Sequence, residues 1–118
     1  MSWTTICPAD RVRPERGVAA IVDEHPVAIF RLPALDDGDD LWFCVDHIDP
    51  VTGSPVIARG LVGSSGVANE PMVASPLYKE RYSLVTGKGI DDPERSIGAH
   101  GCRVNDDGMV EVQLVTSS

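Results

Sequence analysis

The chain has 118 residues, 42% of them hydrophobic and 24% charged, and a formal net charge of -8 at pH 7. That length predicts a single domain spanning residues 1–118, large enough to bury a core without disulfides. The acidic balance argues against nucleic acid as a partner, and no apolar run approaches the ~20 residues of a membrane span.

Nine prolines and eleven glycines punctuate the chain, and no window sustains a 3.6-residue apolar repeat for three turns. The pattern predicts an all-β protein. Residues 1–6 lack the basic start and apolar core of a secretion signal, so the cytoplasm is the expected compartment. A first strand is predicted over residues 3–7, stopped by Pro8, with at most one helical turn over residues 9–12 before Pro14 and Gly17. Residues 18–22 and 26–32 are two apolar runs joined by Asp23-Glu24-His25, a link that suits a hairpin. In the second run Ala28, Phe30 and Leu32 share one face and Val27, Ile29 and Arg31 the other, and the first face is expected to be core.

Residues 33–40 hold Asp36, Asp37, Asp39 and Asp40 around Gly38. They lack the spacing and closing Glu of a calcium-binding EF-hand, and a solvated hairpin tip explains them. The next strand is predicted over residues 41–46, followed by a shaped loop over 47–56. Residues 57–69 read as an irregular, glycine-rich excursion over the surface, leading to a short strand over 71–74. Pro76 breaks any strand or helix over residues 75–80, which must therefore be a second shaped loop, with a strand behind it over 81–85. Thr86-Gly87-Lys88-Gly89 is a turn that glycine makes easy. Residues 98–105 and 109–115 flank Asp106-Asp107-Gly108 as a hairpin, and residues 116–118 are expected to fray.

Little in this sequence supports independent catalysis. There is no Gly-x-Ser-x-Gly, and Ser75 precedes a proline, which removes a backbone donor that an oxyanion hole would use. The Thr86–Gly89 turn is too short for a phosphate loop. Cys7, Cys44 and Cys102 are odd in number and widely spaced, as reduced thiols are. Cys44 and His47 with His100 and Cys102 form the strongest zinc candidate, but a strand turns residues three apart to opposite faces, so the set is disfavoured. His25 reads as a hairpin-link residue rather than a base.

The two shaped loops carry a resemblance. His47-Ile48-Asp49-Pro50-Val51-Thr52-Gly53-Ser54-Pro55-Val56 resembles the Rieske box Cys-x-His-x-Gly-x-Pro-apolar, with Asp49 at the Cys position and Val51 at the His position. Ser75-Pro76-Leu77-Tyr78 resembles the second box, Cys-Pro-x-His, with Ser75 for Cys and Tyr78 for His, while Pro76, Tyr82, Thr86 and Gly87 keep the frame. A Rieske 2Fe–2S centre needs two thiolates and two imidazoles, so the resemblance implies a Rieske-like antiparallel β-sandwich or barrel whose loops fold without iron.

Together with Ala58-Arg59-Gly60 and Ala74-Ser75-Pro76-Leu77-Tyr78-Lys79, these blocks are similar to the small subunits of assimilatory NAD(P)H-dependent nitrite reductases. That resemblance implies no cofactor in this chain and a large-subunit partner holding FAD, a 4Fe–4S cluster and siroheme, which reduces nitrite to ammonium with electrons from NAD(P)H. Arg59, Tyr78, Lys79, Glu80 and Arg81 are the candidate interface residues, because Tyr and Arg combine contact area with directional hydrogen bonds. The alternatives are a Rieske-type ferredoxin carrying electrons itself, or a free-standing adaptor.

Overall fold

The computed structural model describes residues 3–33, 39–65, 70–77 and 80–115. Nine strands are present among them: β1 (Thr4–Pro8), β2 (Gly17–Val22), β3 (His25–Leu32), β4 (Leu41–Asp46), β5 (Leu61–Ser65), β6 (Glu70–Ala74), β7 (Arg81–Ser83), β8 (Ala99–Val104) and β9 (Met109–Gln113). A six-stranded sheet runs β1-β9-β8-β4-β3-β2 and a three-stranded sheet runs β5-β6-β7. Every strand pair is antiparallel, and the sheets close most of a barrel. The all-β expectation holds. Short 3-10 turns occupy Ala9–Arg11 and Ile57–Arg59. Among the described residues no helix is long and apolar enough to cross a membrane.

The hairpin between β2 and β3 turns on two residues, not three. Asp23 and Glu24 both take positive φ, 49° and 67°, the twist that tight hairpins favour, and His25 already pairs with Val22 in the ladder. The expectation of a single core face on β3 is also corrected. Ala28 and Phe30 join Val45, Ile57, Val73, Tyr82, Leu84 and Ile97 in a core between the two sheets, while Val27 and Ile29 join Val12, Val22, Cys44, Val110 and Val112 in a second. A strand between two cores has no wet face, so alternation says nothing about which side is inside.

The expected excursion after residue 57 is instead a 3-10 turn with Ile57 fully buried, followed by β5, which pairs along its whole length with β6. Of the aspartate-rich tip expected over residues 33–40, positions 34–38 lie outside the described residues, as does the chain end at 116–118, while Asp40 accepts from Arg31 Nε at 2.6 Å. The hairpin of β8 and β9 forms as expected, with Gly108 at φ 76° and the Asn105 side chain accepting the Asp107 and Met109 N–H groups.

Candidate functional site

Two loops rise from neighbouring parts of this frame. The first leaves β4 and is pinned at its base by His47, which is buried. The His47 N–H donates to the Pro26 carbonyl at 3.2 Å, its carbonyl accepts from Val56 and Ile57, and its Nδ1 accepts the Ala58 N–H at 3.1 Å. Burial, then the nearby Arg59 charge, lowers the His47 pKa, so the ring stays neutral in this acceptor role. Above it, Asp49 and Ser54 pair through the Asp49 N–H at 2.8 Å, and Gly53, at φ 76°, donates to the Asp49 carbonyl at 2.7 Å. Asp49 Oδ1 accepts the Val51 N–H at 2.8 Å, which closes the turn from within.

The second loop leaves β6 at Ser75, whose N–H donates to the Glu80 carbonyl at 2.8 Å. Ser75 Oγ donates to Asp49 Oδ2, and both side chains are buried, at 1% and 0% exposure. The two loop tips are therefore tied by one hydroxyl–carboxylate bond, between residues 26 apart in sequence. Such a bond, charge-assisted and shielded from water, is stronger than a neutral one. Val51 and Leu77, each two residues beyond the bonded pair, are exposed at 38% and 47%.

The Rieske-like [2Fe-2S] domain model matches residues 2–113. The chain belongs to that family. A nitrite reductase (NADH) small subunit of Escherichia coli K12 is 37% identical over 111 residues, covering 94% of this chain and 96% of the relative. A Mycobacterium tuberculosis protein, described from its crystal structure as an NADH-dependent nitrite reductase small subunit, superposes with a TM-score of 0.84 at 36% identity, over 98% of this chain and 97% of that one. Residues of a Klebsiella oxytoca nitrite reductase [NAD(P)H] large subunit are 34% identical to this chain over 102 positions, 86% of this chain and 10% of that protein. This Rieske-like domain is thus a homologue of nitrite reductase small subunits.

The residues present do not fit the 2Fe–2S cluster its family is named for. Asp49 and Ser75 stand where thiolates would be needed and are bonded to each other, and Val51 offers no donor atom. Tyr78 lies outside the described residues, as does Lys79. Of the other interface candidates, Arg59 is exposed at the end of its 3-10 turn. Glu80 accepts from Arg95 at 3.1 Å, and the Arg81 guanidinium grips Asp91, with its Nη2 2.6 Å from Oδ1. The structure places Glu80 and Arg81 in ion pairs that brace the second loop.

Tyr82 stands in β7 immediately behind that loop, fully buried, and its hydroxyl has no hydrogen-bond partner among the described residues. Burial, reinforced by the Asp49 and Glu80 charges, pushes its pKa up to about 12. A Tyr82→Phe substitution should therefore be neutral or stabilise by up to about 1 kcal/mol, since it removes a buried polar atom that gains nothing in return. Urea unfolding checks this; a clear loss of stability would mean that the hydroxyl is bonded in solution.

Of the four residues weighed for zinc, Cys44 and Cys102 share the second core, while His47 Nδ1 is taken up by the Ala58 N–H. Cys44 points into the second core, where burial first of all raises its thiol pKa strongly, and burial pushes Cys102 up to about 12. His100 turns instead to Asp46, as does His25. Burial opposes the Asp46 charge, but hydrogen bonds from His100, His25 and the Gly98 N–H hold its carboxyl well below the usual range. Sequence reasoning missed this trio. Its members lie 21 and 54 positions from Asp46, and only the pairing of β3, β4 and β8 brings them together.

Proposed function

We propose that this chain is the small subunit, lacking an iron–sulfur cluster, of a cytoplasmic NAD(P)H-dependent nitrite reductase. It docks on the large FAD, 4Fe–4S and siroheme subunit through its two loop tips and supports the reduction of nitrite to ammonium. The observation that carries this is the buried Ser75–Asp49 bond. It ties the two loops together without iron, and beyond it each loop exposes an apolar side chain, Val51 and Leu77, with Arg59 exposed at the end of the Ile57–Arg59 turn. Preordered tips bind with less entropy lost on association. The Klebsiella relative, in which a stretch like this chain is part of a large subunit, supports a lasting association of the two parts.

The test is co-purification with the large subunit, followed by titration of the two chains. Val51→Asp combined with Leu77→Asp should weaken the complex by about 100-fold or more, because each change sets a charge into an apolar contact. Arg59→Ala should weaken it less. Unchanged affinity of the double variant would remove the tips from the interface. A pure chain that is brown and holds equimolar iron would instead support a ferredoxin-type electron carrier.

A further inference from the structure

Docking through the loop tips leaves unused a cluster of potential metal donors found among the described residues. His25 opens β3, Asp46 closes β4 and His100 lies in β8, three strands adjacent in the sheet. Asp46 Oδ1 lies 2.5 Å from His25 Nε2 and 2.8 Å from His100 Nε2, and the three donor atoms all fall within 4.8 Å of one another. The other Asp46 oxygen accepts the Gly98 N–H at 2.7 Å, which fixes the carboxylate plane and leaves Oδ1 for the two rings. The rings meet edge to face with centroids 5.3 Å apart. They line a cleft of about 410 Å³ that Thr86, Lys88, Pro93 and Ser96 also border.

We propose that His25, Asp46 and His100 form a binding site for a divalent transition-metal ion of the zinc type, through His25 Nε2, Asp46 Oδ1 and His100 Nε2. Two imidazole nitrogens and one carboxylate oxygen are a donor set that suits zinc or ferrous iron and not calcium or magnesium. Three protein ligands leave at least one coordination position for water or a small ligand from the cleft. All three ligands sit on paired strands, which hold geometry better than loops. His25 is 44% exposed and gives the ion a path in, while His100 is 5% exposed and forms the floor. Metal–ligand bonds of about 2.0–2.2 Å at tetrahedral angles put donor atoms roughly 3.3–3.6 Å apart, so the carboxylate oxygen has to withdraw from the two rings by about 0.5–1 Å. Lys88, the cation bordering the cleft, opposes the incoming charge and limits affinity.

His100 makes the proposal specific. Its Nδ1 accepts the Val115 N–H at 3.0 Å, which places the ring proton on Nε2, facing Asp46. A metal on Nε2 displaces that proton, and the neutral ring then carries its proton on Nδ1, where it faces another donor. Metal binding therefore opens the bond between the Val115 N–H and His100 Nδ1.

The test is titration of the full chain with zinc, by calorimetry and by nitrogen-detected NMR of the imidazoles. One zinc is expected to bind, with the His100 ring changing tautomer and the Val115 amide shifting. His25→Ala, at a half-exposed position, should lower the affinity by about 100-fold or more, since even outer partners of a ligand are worth roughly 10- to 100-fold. The proposal is overturned if the wild-type chain takes up no zinc, if His25→Ala binds it equally well, or if zinc binds while the His100 and Val115 signals stay in place. The NMR readout uses the unmutated chain, so a misfolded variant would not leave the question open. None of these outcomes bears on docking through the loop tips.

Discussion

Ser75→Ala is expected to destabilise the protein by about 2–3 kcal/mol, the usual range for removing a hydrogen bond to a buried charged group. The hydroxyl donates to Asp49 Oδ2, and Asp49 has no exposed surface through which water could replace it. The other carboxylate oxygen keeps the Val51 N–H, so the first loop retains its internal turn while losing its tie to the second. For a chain of this size the loss corresponds to a fall in Tm of roughly 10 °C. Asp49→Ala should cost at least as much, because it removes the Val51 closure as well. Asp49→Asn should recover most of the loss: its amide oxygen can accept from Val51 while its nitrogen donates to Ser75 Oγ. A double-mutant cycle between Asp49→Ala and Ser75→Ala should return a coupling of about 1.5–3 kcal/mol. If Ser75→Ala unfolds at the wild-type urea midpoint, the bond is not what joins the tips, and the proposed docking surface loses its rigid base.

The frame of both loops was legible because it is built from residues whose backbone limits are local. Pro76 forbids a strand through residues 75–80, and Gly53 and Gly108 sit at the positive φ their turns demand. The hairpin of β8 and β9 combined a turn signal with strict alternation at Val110 and Val112, and it formed where expected. β5 was missed because it carries almost no apolar signal. Leu61 is 79% exposed, and the strand is held by backbone pairing to β6. The two-sided burial of β3 was equally out of reach, since a second core is a property of the whole barrel and not of eight residues. At the site, the type of residue at each former ligand position could be read directly. That Asp49 and Ser75 would bond each other, or that His25 and His100 would share Asp46, depends on contacts across 26, 21 and 54 positions. No periodicity reports these.

Gly87→Ala should destabilise by about 3 kcal/mol or more, and the comparison with Gly108→Ala shows why. Both glycines have positive φ, 80° and 76°, where a side chain costs roughly 1–2 kcal/mol. A Cβ at Gly108 would meet nothing within 4 Å, so the conformational cost is all that Gly108→Ala incurs. At Gly87 the added carbon would fall far inside the van der Waals radius of the Ile97 carbonyl oxygen, which is backbone and has no rotamer to yield. Relief would require residues 97–98 to move. Those residues accept and donate the bonds that join the turn to the sheet: the Ile97 N–H donates to the Gly87 carbonyl at 2.8 Å, and the Gly98 N–H holds Asp46. Ile97 is itself in the core between the sheets, so the shift would spread to Tyr82 and Leu84. Urea midpoints of the two variants, measured side by side, separate strain from collision. Equal losses at Gly87 and Gly108 would mean that the turn is free to move away from Ile97, and that the second loop is not anchored to β8 through it.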